Sequence, residues 1–247
     1  MSAEQTAIAV VPGKPPELIV CDELSPCPYL AGRVARMPLR LPCRRLRRRE
    51  LDQRLAAGDR RQGFVLYRTL CPACDACEPI RIDVTRFVPS RSQRRTLRRG
   101  DAALTVTVGK PEADSRRVEL YNLHKRERSL ADGHPPLERE GYTDFLVSSC
   151  CDSFEIRFWL QRELVGVAVV DRGHNSLSAV YCCYDPRLAR LSIGTYSILR
   201  QILLARELGQ RYVYLGLFIA ECKPMAYKAR FRPHERLIGG RWTVRGD

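Results

Sequence analysis

Between residues 154 and 219 the chain spells out an order of elements that few folds can satisfy. "FEIRFWL" (154–160), "LVGVAVVDR" (164–172) and "SLSAVYCCYD" (176–185) are rich in β-branched and aromatic residues, with short connections between them. They predict three strands in an antiparallel meander. "GTYSILRQILLARELG" (194–209) follows. Ile198 and Ile202, like Leu199 and Leu203, stand four apart, and Gly209 is placed to end a helix. "RYVYLGLFI" (211–219) then reads as a buried strand. Two more helices are expected upstream, over "SRRVELYNLHKRERS" (115–129) and "LEREGYTDFLVSSC" (137–150). The unit from about 110 to 240 is therefore α+β.

The order helices, meander, helix, strand is also that of the Gcn5-related acyltransferase fold. The first hundred residues have another character. Pro12, Pro15 and Pro16 predict a loose leader over 1–20, and 21–109 forms a cysteine- and arginine-rich region ahead of a catalytic domain at 110–247. A short helix is expected at 50–57, and strands in "GFVLYRTL" and "IRIDVTRF". The net charge is +14, and of the 42 basic residues five are Lys and the other 37 Arg. A bias toward arginine codons would explain Arg over Lys but not the excess of charge. Guanidinium forks suit phosphate, so the first partner to consider is a nucleic acid. No run approaches the ~20 apolar residues of a membrane helix. No signal peptide is visible at the start, and the chain is read as cytosolic.

Eleven cysteines in a reducing compartment argue for metal, catalysis or plain burial rather than disulfides. "CPACDACEPIRI" puts Cys71, Cys74 and Cys77 at two consecutive C-x-x-C steps. That spacing brings thiolates to one zinc ion or iron–sulfur cluster, with a fourth ligand from elsewhere. Cys27, in the proline-flanked "SPCPYL", is the best donor, and Cys21 and Cys43 compete with it. Small buried thiols are the plain alternative. Cys182 and Cys183 fall on one strand, where neighbours point to opposite faces and cannot share a site. In "LSIGTYSILRQ", the turn with Ser192, Gly194 and Thr195 offers backbone N–H groups at a helix N-terminus, a site for an anion or an ordinary cap. His124, beside Lys125, Arg126 and Arg128, reads as a solvated or phosphate-contacting residue.

By "YCCYDP", "LSIGTYSIL", "YLGLFIAECKPMAYKARFRPHE" and "CPACDACEPIRI", the chain resembles the aminoacyl-tRNA–protein transferases of the arginyltransferase family. The closer match is to their bacterial branch, the aspartate/glutamate leucyltransferases. "CKPMAYKARFRP" and "FVPSRSQRRTLRRGD" are its most specific stretches, and the likeness runs from residue 27 to Trp242. The resemblance implies a Gcn5-like catalytic domain behind a cysteine-bearing region. It also implies transfer of leucine from charged tRNA to the N-terminal Asp or Glu of a protein, marking it for degradation. The resemblance further implies a metal site, since the family's eukaryotic members carry zinc or an iron–sulfur cluster on four cysteines. An adjacent Cys-Cys pair among those four is replaced here by Cys71, Cys74 and Cys77 with Cys27.

Aminoacyl-tRNA and proteins with an acidic N-terminus are then the partners, and no organic cofactor is expected. The ester is already activated, so the enzyme has chiefly to position the amine, stabilise the oxyanion and move one proton. Asp171 resembles the family's acidic position and is expected as base or amine-orienting group, with Tyr184 and Lys228 beside it. Tyr181, Tyr184 and Tyr227 are candidates for orienting the tRNA end. Tyr227, Lys228, Arg230 and Arg232 are candidates for the acceptor, since an extended "AYKARFRP" would send Lys228, Arg230 and Arg232 to one face. Arg94, Arg95, Arg98 and Arg99, with the turn at Ser192, Gly194 and Thr195, are expected to meet tRNA. An arginyl-tRNA transferase, an acetyl-CoA-dependent acetyltransferase and a metal-knuckle RNA-binding module are the other readings.

Overall fold

The charged runs of the first hundred residues fold as fully as the apolar ones after them. The structure, a computed structural model, describes residues 10–128, 130, 133 and 135–246. Pro12, Pro15 and Pro16 fall between β1 (Val10–Val11) and β2 (Glu17–Cys21), where the missing N–H groups cost no ladder bond. β3 (Leu24–Pro26) and β4 (Val34–Arg36) make a hairpin. After β5 (Leu39–Pro42), α1 (Arg48–Ala56) starts where Glu50 accepts the Arg47 N–H at 2.7 Å, and Gly58, just past its end, has φ +93°. β6 (Arg60–Gln62) and β7 (Val65–Tyr67) complete a five-stranded sheet in the order β1-β2-β5-β7-β6. The leader expected over 1–20 is thus corrected from Val10 onward. Glu17 is buried, with Arg40 and Arg54 at 2.9 and 2.7 Å from its carboxylate. Residues 1–9 lie outside the described residues.

β8 (Glu78–Asp83) leaves this region for a second sheet. α2 (Arg91–Ala103) forms where the sequence shows only a charged run, because Ser90 and Gln93 cap it reciprocally: each side chain accepts the other's backbone N–H, at 3.3 and 2.8 Å. β9 (Leu104–Gly109) and α3 (Ser115–Glu127) follow. The helix expected at 137–150 is only α4 (Arg139–Tyr142) and a wide turn over Thr143–Val147. The meander is β10 (Ser153–Leu160), β11 (Glu163–Arg172) and β12 (Ser176–Tyr184), within two residues of the sequence expectation. α5 (Ile193–Glu207), β13 (Tyr212–Phe218), α6 (Lys223–Ala226), β14 (His234–Ile238) and β15 (Arg241–Arg245) close the chain.

The main sheet runs β15-β14-β8-β13-β12-β11-β10-β9, antiparallel everywhere except between β12 and β13. The helix α5 crosses between those two strands, in the α+β order of helices, meander, helix and strand expected from the sequence. One face is covered by α2 and α5 over Ile80, Phe158, Val170, Tyr196 and Ile202. α3 and α4 cover the other over Leu120, Tyr142, Val167 and Cys183. Gly100 lets α2 lie against α5: a Cβ there would come within 2.4 Å of the buried Tyr196 ring. A third cluster, with Leu51, Leu55, Leu66, Cys150, Cys151 and Tyr214, joins the two sheets. The boundary expected at 109/110 does not divide the fold, since β8 lies between β13 and β14, and β9 edges β10.

Candidate active site

β12 and β13 begin side by side and then separate. Their parallel pairing covers only Ser176–Ser178 against Tyr212–Tyr214, after which β12 runs on to Tyr184 and β13 to Phe218 without each other. Each strand bulges at the opening. On β12, Val169 pairs with Tyr181 and Val170 with Ala179, which leaves Val180 extra. On β13, Leu215 and Gly216 fall between the partners of Arg81 and Pro79. Bulges bend a strand and re-aim its side chains, and backbone released from a ladder is available to a ligand.

The N-terminus of α5 closes one end of this gap. Ser192 turns into the helix at φ +52° with no side-chain cap, and a Cβ on Gly194 would sit 3.2 Å from the Tyr184 ring. Ser192, Gly194, Thr195 and Tyr184 are therefore brought together. His124 packs edge-on against Tyr184 at 4.5 Å, and its Nδ1 lies 3.3 Å from the Tyr184 carbonyl. It is buried rather than solvated, and burial pushes it down to about 4, leaving it neutral at pH 7. Tyr181 faces the α3 side with Cys183, across the sheet from Tyr184, by strand alternation.

The segment from Cys222 to Pro233 crosses the open side as α6 and a one-turn helix over Tyr227–Arg230. It is not extended, so the shared face expected for Lys228, Arg230 and Arg232 is corrected: Lys228 is buried, the other two are exposed. Tyr227 stands in electrostatic reach of Cys182, Tyr184 and Arg128. Lys228 Nζ donates to the Leu217 carbonyl at 2.6 Å. Burial, and then the neighbouring Arg60, lowers its ammonium to about 7. Arg60, which sequence reasoning passed over, is buried on β6 and donates to the next carbonyl, that of Gly216.

The family described as "Arginine-tRNA-protein transferase, C terminus" matches residues 116–238, and its N-terminus counterpart matches 25–95. An aspartate/glutamate leucyltransferase of Chromobacterium violaceum is 40% identical over 219 residues, covering 89% of this chain and 90% of that one. One from Thiobacillus denitrificans is 38% identical over 218 residues, covering 88% and 90%. The chain belongs to the arginine-tRNA–protein transferase family. Among solved structures, the C-terminal domain of a putative lysylphosphatidylglycerol synthetase from Agrobacterium fabrum is similar at a TM-score of 0.45 and 13% identity, over 58% of this chain and 47% of that one. A GCN5-related N-acetyltransferase from Kribbella flavida is similar at 0.38 and 11%, over 63% and 52%.

Elsewhere on this transferase, Arg94, Arg95, Arg98 and Arg99 are all exposed on α2. Arg94 donates to the Pro89 carbonyl and Arg99 to that of Arg190, and among the described residues none of the four has a carboxylate partner. The anchor at Arg190 carries the basic surface toward the start of α5. Asp171 lies elsewhere. Its register partner on β12 is Ser178, six residues from Tyr184 along the strand, and about 20 Å away at strand rise. Both its oxygens are committed, to Arg61 Nε at 2.7 Å and Ser153 Oγ at 2.6 Å. It is a buried tie between β11 and β6, which corrects its reading as a base.

The four cysteines do gather. Burial is the larger cause that pushes the Cys77 thiol up to about 12, but Cys27, Cys71, Cys74 and Cys222 all lie close enough to add to it. Arg33 donates to the Cys74 sulfur at 3.6 Å. Soft thiols of this kind suit zinc or an iron–sulfur cluster. They are not drawn into a ligand shell: among the described residues no three His, Cys, Asp or Glu side chains converge on a metal position.

Proposed function

We propose that this transferase moves leucine from leucyl-tRNA to the N-terminal Asp or Glu of proteins, marking them for degradation in the cytoplasm. The observation that carries the reading is the opening between β12 and β13. It sets Tyr184 and Tyr227 beside an uncapped helix N-terminus, with Lys228, next to Tyr227 in the chain, buried against the β13 bulge. Leucine as the donated residue, and acidic acceptors, are supported by the names of the relatives that match nearly end to end. No helix among the described residues is long and apolar enough to cross a membrane.

In the reaction the acceptor's α-amine attacks the ester carbonyl. A C–N bond forms, the C–O bond to the ribose breaks, and one proton passes from the amine to the ribose oxygen. Tyr184 and the turn at Ser192, Gly194 and Thr195 hold the aminoacyl end, where the helix N-terminus meets a phosphate. Tyr227 and Lys228 orient the acceptor, with Arg230 and Arg232 at its entry. Arg94, Arg95, Arg98 and Arg99 take the body of the tRNA. The test mixes leucyl- and arginyl-tRNA with peptides starting Asp, Glu, Arg or Ala. Leucine should appear on the Asp and Glu peptides alone, and arginyl transfer at an equal or greater rate would overturn the donor assignment.

Zinc or an iron–sulfur cluster on Cys27, Cys71, Cys74 and Cys77 belongs to the same reading. Bound there, the group would cross-link the loop before β8 to the hairpin of β3 and β4. Protein purified without chelator should carry bound zinc or iron, and Cys74→Ser should lower metal content and thermal midpoint together. Metal-free wild-type protein with full transfer activity would leave the cysteines as half-buried free thiols.

A further inference from the structure

Arg60 is buried on every side and incompletely partnered. Its Nη2 donates to the Gly216 carbonyl, while Nε and Nη1 have no hydrogen-bond partner among the described residues. Among the described residues no carboxylate pairs with it. Asp59, its neighbour in the chain, lies in electrostatic reach but does not hydrogen-bond it: Oδ1 is taken by Arg40 and Arg68 at 2.6 and 2.9 Å, and Oδ2 makes no hydrogen bond among the described residues. A second cation stands beside it. Lys228 Nζ is held only by the Leu217 carbonyl and, at 3.5 Å, the Met225 sulfur. A Cβ placed on Gly216 would lie 3.4 Å from Lys228 Nζ and 3.9 Å from Arg60 Nη2, so both charges border one small space. Gly216 has φ +87°, within the β13 bulge, and the bulge aims two successive carbonyls at the two cations. Two like charges buried together with no carboxylate hydrogen-bonded to either are unfavourable on both desolvation and Coulomb grounds. A fold retains such a pair where an anion arrives from outside.

We propose that Arg60 and Lys228 form the slot that receives the side-chain carboxylate of the acceptor's first residue. This rests on the proposed preference for acidic acceptors, and it adds Arg60 as the residue that reads acidity. The anion is a carboxylate rather than a tRNA phosphate for a steric reason. Arg60 and Lys228 are 6% and 7% exposed, a depth that the tip of an Asp or Glu side chain can reach alone. A phosphodiester would have to bury a ribose on either side as well. A carboxylate in this slot is only a few bonds from its own α-amine, which keeps that amine at the mouth of the gap near Tyr184 and Tyr227. Gly216 matters for the same reason, since any side chain there would fill the space between the two cations.

The test compares peptides that begin with Asp and with Asn, which share shape and differ in charge. Wild type should prefer Asp. Arg60→Met should raise the KM of the Asp peptide by about 30-fold or more and that of the Asn peptide by less than about threefold, with tRNA Kd unchanged. Arg60→Lys should recover part of the preference. Because Arg60 has no carboxylate to orphan, Arg60→Met should fold with a denaturation midpoint no lower than wild type, unlike a change that breaks a buried ion pair. A wild type indifferent to Asp against Asn overturns the acceptor reading and the slot together. A wild type that prefers Asp, with an Arg60→Met variant that keeps the preference, overturns the slot alone. So does a variant that loses tRNA affinity while keeping its choice of Asp, since the anion would then be a phosphate. A variant whose midpoint drops sharply would show that Asp59 serves Arg60 as an internal counterion, and that too removes the slot.

Discussion

Asp171→Ala should lower the unfolding free energy by about 3–5 kcal/mol, among the largest losses available to a single substitution here. The Arg61–Asp171 pair is 2% and 1% exposed, with Nε 2.7 Å from the carboxylate. Arg61 Nη1 is shared between the carbonyls of Gly63 and Ser148, at 3.1 and 3.0 Å, so the guanidinium cannot swing out to water. The Asp171 carboxylate offsets the burial that would otherwise lower the Arg61 guanidinium. Without the carboxylate a fixed cation is left in the interior. Replacing both partners by apolar residues, Arg61→Met with Asp171→Leu, should recover much of the loss, because the penalty lies in the orphaned charge and not in the missing attraction. Urea unfolding of the three proteins checks this. An Asp171→Asn protein of wild-type stability that cannot transfer leucine would restore Asp171 as a base and remove it as a tie.

Neutralising Arg94, Arg95, Arg98 and Arg99 together should weaken tRNA binding by roughly two to three orders of magnitude near 0.1 M salt. The slope of log affinity against log salt should fall by about 3, since a phosphate that no guanidinium neutralises keeps its own counterion. The four side chains are exposed along one helix, and among the described residues none is spent on a carboxylate. The substitution should leave the fold intact, because what buries α2 is Gln93 and Gly100, the latter against Tyr196. Binding measured at four salt concentrations decides it. An unchanged slope would move the tRNA surface off α2.

The second half of the chain was legible because its apolar periodicity is its packing. β10, β11, β12, α5 and β13 lie within two residues of where Phe154–Ile219 suggested, each with a face that must be covered. The first half was legible only in part. α1, β7 and β8 lie where 50–57, "GFVLYRTL" and "IRIDVTRF" suggested, with Leu51, Leu66 and Ile80 buried, whereas α2 and the short strands around them are fixed largely by polar bonds that have no period. α2 carries a single strongly apolar residue, Leu97, and its one readable signal was the pairing of Ser90 with Gln93 three positions on. Arg60 and Arg61 sat in a run that looks solvated. Alternation along β6 sends one to Gly216 and the other to Asp171, so adjacent identical letters have unrelated jobs. Lys228 was picked out by resemblance, but the bent segment around it was not, since "KPMAYKAR" has neither the length nor the period of a helix.

The position of β8 also fixes when this protein can be finished. β8 leaves the ribosome early, yet both of its partners, β13 and β14, are made after residue 211. Until then a buried-type strand waits with both edges open, and the sheet that forms the gap cannot close from either side. Contacts spanning so much of the chain slow folding and expose edges to wrong pairing. The polypeptide must therefore be translated nearly to its last strand before any of it can hold the aminoacyl end of a tRNA in that gap. Nascent chains stalled after β12 would offer the meander without the cleft, and would need a chaperone rather than a substrate.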